Sequence, residues 1–165
     1  MYTIRCTQRL LARLSGSTPD VDAPRSTTAL GDWYANTITV GRLRLILCTS
    51  ERTLLTVLIP AKDLRSLPDR LRDAVARMLI RLEVPPGEIA REKREMMWHQ
   101  LGRTASRQIL GSMNDFAFLA ETYIRDDGPA ADLDDIAMLL NRAPCRPIEY
   151  QSPDRFTQAI FRRAS

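Results

Sequence analysis

The chain's 165 residues fit the length of one ordinary domain, and 44% hydrophobic against 27% charged residues exclude a largely disordered chain. No stretch reaches the roughly 18 apolar residues of a membrane span, and Met1-Tyr2-Thr3-Ile4-Arg5-Cys6 lacks the apolar run of a secretory signal. The expectation is therefore a soluble cytoplasmic protein with no membrane partner, and a net charge of +4 is too mild to mark a nucleic-acid binder by itself.

Thr3 to Cys6 reads as a short strand. Thr7 then caps a helix through Leu14, with Leu10, Leu11 and Leu14 on one face and Gly16 as its stop. Residues 17–28 are rich in turn formers and have no apolar period, which predicts a mobile loop. Trp33 to Val40 is β-branched and aromatic, as a pleated surface requires. Gly41-Arg42 gives a tight turn with Gly at its first central position. Leu43, Leu45 and Leu47 alternate along a second strand, and Ser50-Glu51-Arg52 turns the chain again. Thr53 to Ile59 is nearly all apolar, as in a strand covered on both faces, and Pro60 ends it. These three strands form an antiparallel β-meander.

Ser66 with Asp69 marks the start of a strong helix. Leu71, Ala74, Val75, Met78, Leu79 and Leu82 form its apolar stripe, and Asp73 pairs with Arg77 at i,i+4. Pro85-Pro86-Gly87 stops it. Glu88 to Glu95 predicts a short exposed helix laced with ion pairs. Residues 96–101 either extend that helix or form a strand, and the broken stripe at Ile89 favours the strand. Gly102 to Gly111 reads as a basic connector. Ser112 with Asp115 then caps a central helix carrying Met113, Phe116, Ala120 and Ile124, with Phe118 and Leu119 widening the stripe. Asp126-Asp127-Gly128-Pro129 breaks it. Asp132 with Asp135 caps a further helix, and Ser152-Pro153 opens the last. The resulting class is α+β: a small antiparallel meander sheet packed with amphipathic helices. Residues 1–165 read as one domain, with residues 126–165 as its C-terminal helical extension.

Three segments resemble a bacterial family of domains of unknown function, DUF6933. They are Arg5-Cys6-Thr7-Gln8-Arg9-Leu10-Leu11; then Leu30-Gly31-Asp32-Trp33-Tyr34-Ala35-Asn36 with Glu51-Arg52-Thr53-Leu54-Leu55; and Leu110-Gly111-Ser112-Met113-Asn114-Asp115-Phe116. The resemblance implies a bacterial cytoplasmic protein and brings no activity with it.

The candidate ligand-binding residues are Asp32, Arg103, Arg107 and Asn114. A helix opening at Ser112 offers free N–H groups, and Arg103 and Arg107 upstream supply guanidinium forks for a phosphate or carboxylate. Plain helix capping is the favoured reading of Ser112 and Asp115 and leaves Asn114 and the two arginines as the surplus. Asp32 beside Trp33 and Tyr34 makes either a recognition surface or, as burial statistics favour, a strand start whose aromatics fill the core. His99, the only histidine, is a weak candidate general base without a local partner. Cys6, Cys48 and Cys145 have neither disulfide nor zinc spacing, and the aspartates of residues 126–135 lack the calcium-loop pattern. No motif calls for a metal or a cofactor.

These patterns favour a non-enzymatic binding or regulatory module with a protein partner. The alternative is a small enzyme or ligand binder for a phosphorylated or carboxylated metabolite. Its pocket would lie between the meander and the Ser112 helix. Nucleic-acid binding is a weaker third option, and substrate, partner and oligomeric state stay open.

Overall fold

A computed structural model of the chain describes residues 1–14, 23–128 and 130–164. Along these run β1 (Tyr2–Cys6), α1 (Gln8–Leu14), β2 (Trp33–Val40), β3 (Leu43–Ser50), β4 (Thr56–Pro60), α2 (Leu67–Arg81), α3 (Pro86–Glu95), β5 (His99–Arg103), α4 (Arg107–Asp127), α5 (Leu133–Leu140) and α6 (Pro153–Ala164). The class is α+β, with one five-stranded sheet in the order β4-β3-β2-β1-β5.

The meander forms as its alternation requires. Gly41 sits at φ +61 between the paired residues Val40 and Leu43, a left-handed conformation that glycine adopts without steric cost. The sheet as a whole is mixed, not purely antiparallel. β1 pairs parallel to β2 on one side and parallel to β5 on the other. Parallel neighbours need crossover connections, which leave no turn signal in the sequence.

Each face of the sheet carries its own apolar layer. Ile4, Cys6, Trp33, Ala35, Ile46 and Cys48 join Leu71, Val75, Met78 and Leu79 of α2. Opposite parity sends Tyr34, Leu45, Leu47 and Leu58 to the other face, against Ile109, Met113, Phe116 and Ala120 of α4. Residues 126–164 return to both layers: Ile136 and Leu140 belong to the second, and Ala137 and Phe161 to the first.

Several local expectations are corrected. The central helix does not open at Ser112. It opens at Arg107, with Ser106 as N-cap accepting from the Ile109 N–H at 3.2 Å. Ser112 is buried in its interior, and Gly111 lies on its open side. Phe118 points to solvent and does not widen the stripe. Ser66 makes no side-chain cap; its hydroxyl donates to the Asp63 carbonyl and accepts from Arg70 Nε. Thr7 sends its hydroxyl to Asn36 Oδ1 at 3.1 Å while its carbonyl takes the Leu11 N–H. Arg77 pairs with Asp134 at 2.9 Å, not with Asp73. Pro86 and Gly87 begin α3, and that helix buries Ile89 and Glu92. Residues 96–101 split: Met96 closes α3, and the strand runs on through Gly102 to Arg103. The loop expected at 17–28 lies outside the described residues up to 22, as does the stop at Gly16. Thr28, at the loop's end, is buried and donates to the Gly31 carbonyl at 2.7 Å.

Candidate functional site

The polar centre of the fold is Asp32, which precedes β2 and is only 4% exposed. Its Oδ1 accepts the Thr3 N–H at 2.9 Å, and its Oδ2 pairs with Arg5 Nε at 3.0 Å. Arg5 also donates from Nη1 to the Arg103 carbonyl at 3.3 Å. The Asp32 backbone is held from the far side, because its N–H reaches Glu51 Oε2 and its carbonyl accepts the Glu51 N–H. Arg52 continues the frame by donating from Nη1 to the Thr28 and Ala29 carbonyls. Gly31, at φ +80, passes so close that a Cβ there would stand 3.0 Å from Arg52 Cγ. Both Asp32 oxygens are thus engaged. The carboxylate ties the start of β2 to β1, the Asp32 backbone holds the β3–β4 turn, and Arg5 carries the link on to β5.

Trp33 and Tyr34 are buried on opposite faces, as strand alternation dictates. Burial raises the Tyr34 hydroxyl above its ordinary value, while Arg5 and the Ala105 and Ser106 backbone N–H groups act in the opposite sense.

Of the remaining candidates, Arg103 ends β5 and Arg107 begins α4, so both stand near the Asp32 frame at the carboxyl end of β5. Both are exposed, and neither has an ion pair among the described residues. Asn114 is exposed and seven residues further along α4, about 10 Å away on the helix rise. His99 begins β5, about 13 Å along the strand from Arg103. Its ring lies 6.5 Å from that of Tyr2, and partial burial lowers its pKa, with Asp69 opposing. Through Arg5 the structure links Asp32 to the backbone of Arg103, four residues before Arg107, and leaves Asn114 and His99 apart from that link. The pocket expected beside a helix opening at Ser112 loses its premise, because those N–H groups are bonded within α4.

The two edges of the sheet differ sharply. At β4, Asn141 pairs with the backbone of Thr56 and covers the edge with α5. At β5, the Tyr2 N–H bonds to the Trp98 carbonyl, which fixes the parallel register. Gln100 and Gly102 then turn their N–H groups to β1, while those of His99 and Leu101 point outward. No backbone partner meets these outward groups among the described residues. Trp98, 74% exposed, and the exposed Met97 immediately precede this open edge.

Sequence reasoning missed Glu92 and Asn141. Its charged surroundings predict Glu92 on a solvated face, yet it is 2% exposed and accepts the Ala29 and Leu30 N–H groups at 2.8 and 3.1 Å. Neither residue sits in a local pattern that separates it from an ordinary surface polar group. No group of three His, Cys, Asp or Glu placed to hold a metal ion occurs among the described residues. No helix among them is long and apolar enough to cross a membrane.

No curated protein and no solved structure matches the chain. A family model described as a domain of unknown function (DUF6933) matches residues 3–156.

Proposed function

This chain belongs to the DUF6933 family of domains of unknown function, and on that premise we propose that it is a non-enzymatic binding module that takes an extended, acidic segment of a protein partner along the β5 edge. The observation that carries this reading is the asymmetry of the sheet. Among the described residues, α5 covers the β4 edge and a buried amide pins it at Thr56, while the His99 and Leu101 N–H groups of β5 meet no backbone partner beside an exposed Trp, which is a template for strand addition. Trp supplies large contact area at little entropic cost and is the residue most enriched at binding hot spots.

Charge argues for an acidic partner. His99, Leu101 and Arg103 share one side of β5, in register with Tyr2, Ile4 and Cys6. Arg103 and Arg107 have no carboxylate of their own among the described residues, so acidic side chains on an added strand would supply one. Chemistry is harder to build here: Asp32 is buried and paired with Arg5, and His99 has no hydrogen-bonded partner among the described residues. We place the protein in the bacterial cytoplasm. Cys6, Cys48 and Cys145 are free and buried, which suits a reducing compartment.

The test is a titration with a synthetic octapeptide of alternating valine and glutamate, followed by tryptophan fluorescence. Trp33 is fully buried, so Trp98 reports the event. A saturable blue shift is expected, with the peptide affinity weakened at least tenfold in Arg103→Glu. No shift, or an equal response to a valine–lysine peptide, contradicts the proposal.

A further inference from the structure

We propose that the cleft between the end of α5 and the start of α6 binds a phosphorylated aromatic compound of the nucleoside monophosphate type. The cleft measures about 750 Å³ and is lined by Arg142, Tyr150, Gln151, Ser152, Asp154 and Arg155. That is the size of a small-molecule site.

Its two arginines are the first reason. Arg142 and Arg155 are both exposed and have no ion pair among the described residues, although acidic residues are plentiful on α5. Those acids are committed elsewhere. Asp134 pairs with Arg77, Asp135 pairs with Arg81, and Asp132 caps α5. Asp154 is the one carboxylate lining the cleft, and its Oδ1 accepts the Arg155 N–H at 2.7 Å. Two guanidinium groups facing one cleft against one carboxylate leave a net positive site. Planar guanidinium forks match the oxygens of a phosphate dianion.

Tyr150 is the second reason. It is 68% exposed, yet the loop that carries it is tightly tied. The Cys145 N–H donates to the Gln151 carbonyl at 3.0 Å, the Tyr150 N–H to the Cys145 carbonyl at 2.9 Å, and the Gln151 N–H to the Ile148 carbonyl at 3.1 Å. Glu149 and Tyr150 both adopt the left-handed conformation, at φ 56 and 60. An aromatic ring held out by a cross-braced loop is a ready stacking surface for a second ring. The Ser152 hydroxyl and the Gln151 amide supply neutral polar groups for the sugar between ring and phosphate.

Isothermal titration of the full chain with AMP, adenosine and inorganic phosphate tests the site. AMP is expected to bind tighter than either fragment. Arg142→Ala and Arg155→Ala each weaken AMP at least tenfold. Tyr150→Phe keeps the ring and the affinity. Tyr150→Asn, which tolerates the left-handed backbone, reduces AMP to the level of phosphate. No binding of AMP, equal affinity for AMP and phosphate, or AMP affinity unchanged in both arginine variants would overturn the assignment. All three positions are exposed, so the variants retain the fold, and an unchanged thermal midpoint verifies it.

Discussion

Asn141 acts toward Thr56 as a strand residue would. Its Oδ1 accepts the Thr56 N–H at 2.8 Å, and its Nδ2 donates to the Thr56 carbonyl at 2.9 Å, with both residues fully buried. Its own carbonyl takes the Asp154 N–H at 3.0 Å, so one residue joins β4, α5 and α6. Asn141→Ala leaves two buried backbone groups of Thr56 unpaired, which costs roughly 2–4 kcal/mol. Urea unfolding should show a lower midpoint with an unchanged m-value. Asn141→Asp, which keeps the acceptor but loses the donor and buries a charge, should be no better tolerated.

The Asp32–Arg5 pair is a structural tie, and its loss should read as such. Asp32→Ala frees the Thr3 N–H and leaves the Arg5 guanidinium with only the Arg103 carbonyl, at a cost of about 3 kcal/mol. Arg5→Ala should cost a comparable amount, because it leaves the nearly buried Asp32 carboxylate without its counter-charge. A double-mutant cycle should return a coupling of about 1–3 kcal/mol; a coupling near zero would show that the two side chains act independently.

Glu92 sets a pH dependence of definite sign. Burial raises its pKa above the ordinary 4.5, although the Ala29 and Leu30 N–H groups act in the opposite sense. Between the two values the folded chain holds a proton that the unfolded chain has lost. Stability therefore falls as pH rises from 4.5 through the raised value and levels off above it. Glu92→Ala should remove that slope and cost about 1–3 kcal/mol through the two unpaired N–H groups. Urea midpoints measured at intervals between pH 4.5 and 8 read both effects, and a slope that persists in the variant would assign it to another group.

Gly102 makes room for its neighbour strand. A Cβ there would stand 2.6 Å from Thr3 Cγ2, and Thr3 is buried with its N–H held by Asp32. Gly102→Ala should destabilise by about 1–3 kcal/mol. An unchanged thermal midpoint would mean that β1 and β5 separate without penalty.

The meander was legible because its signals are local: Trp33 to Val40 and Leu43 to Ser50 announce themselves by residue type and by Gly41. The parallel neighbours were not, because β1 meets β2 and β5 only after long intervening stretches of chain. Ser112 with Asp115 imitates a capping pattern inside a helix. The true cap, Ser106, lacks the acidic residue three positions on that strengthens such a signal. Asp32 stood out beside its two aromatics, but its partner Arg5 lies 27 residues away. Glu92 looks like Glu88 and Glu95 along the chain; only the approach of residues 29 and 30 makes it a buried acceptor.

The open β5 edge is tested most directly by residue-resolved amide exchange. In the free protein, Gln100 and Gly102 should exchange slowly and His99 and Leu101 quickly, since only the first two face β1. Saturating valine–glutamate octapeptide should slow His99 and Leu101 and leave Gln100 and Gly102 unchanged. If His99 and Leu101 are already slow without the peptide, or stay fast at saturation, strand addition at this edge is not what the protein does.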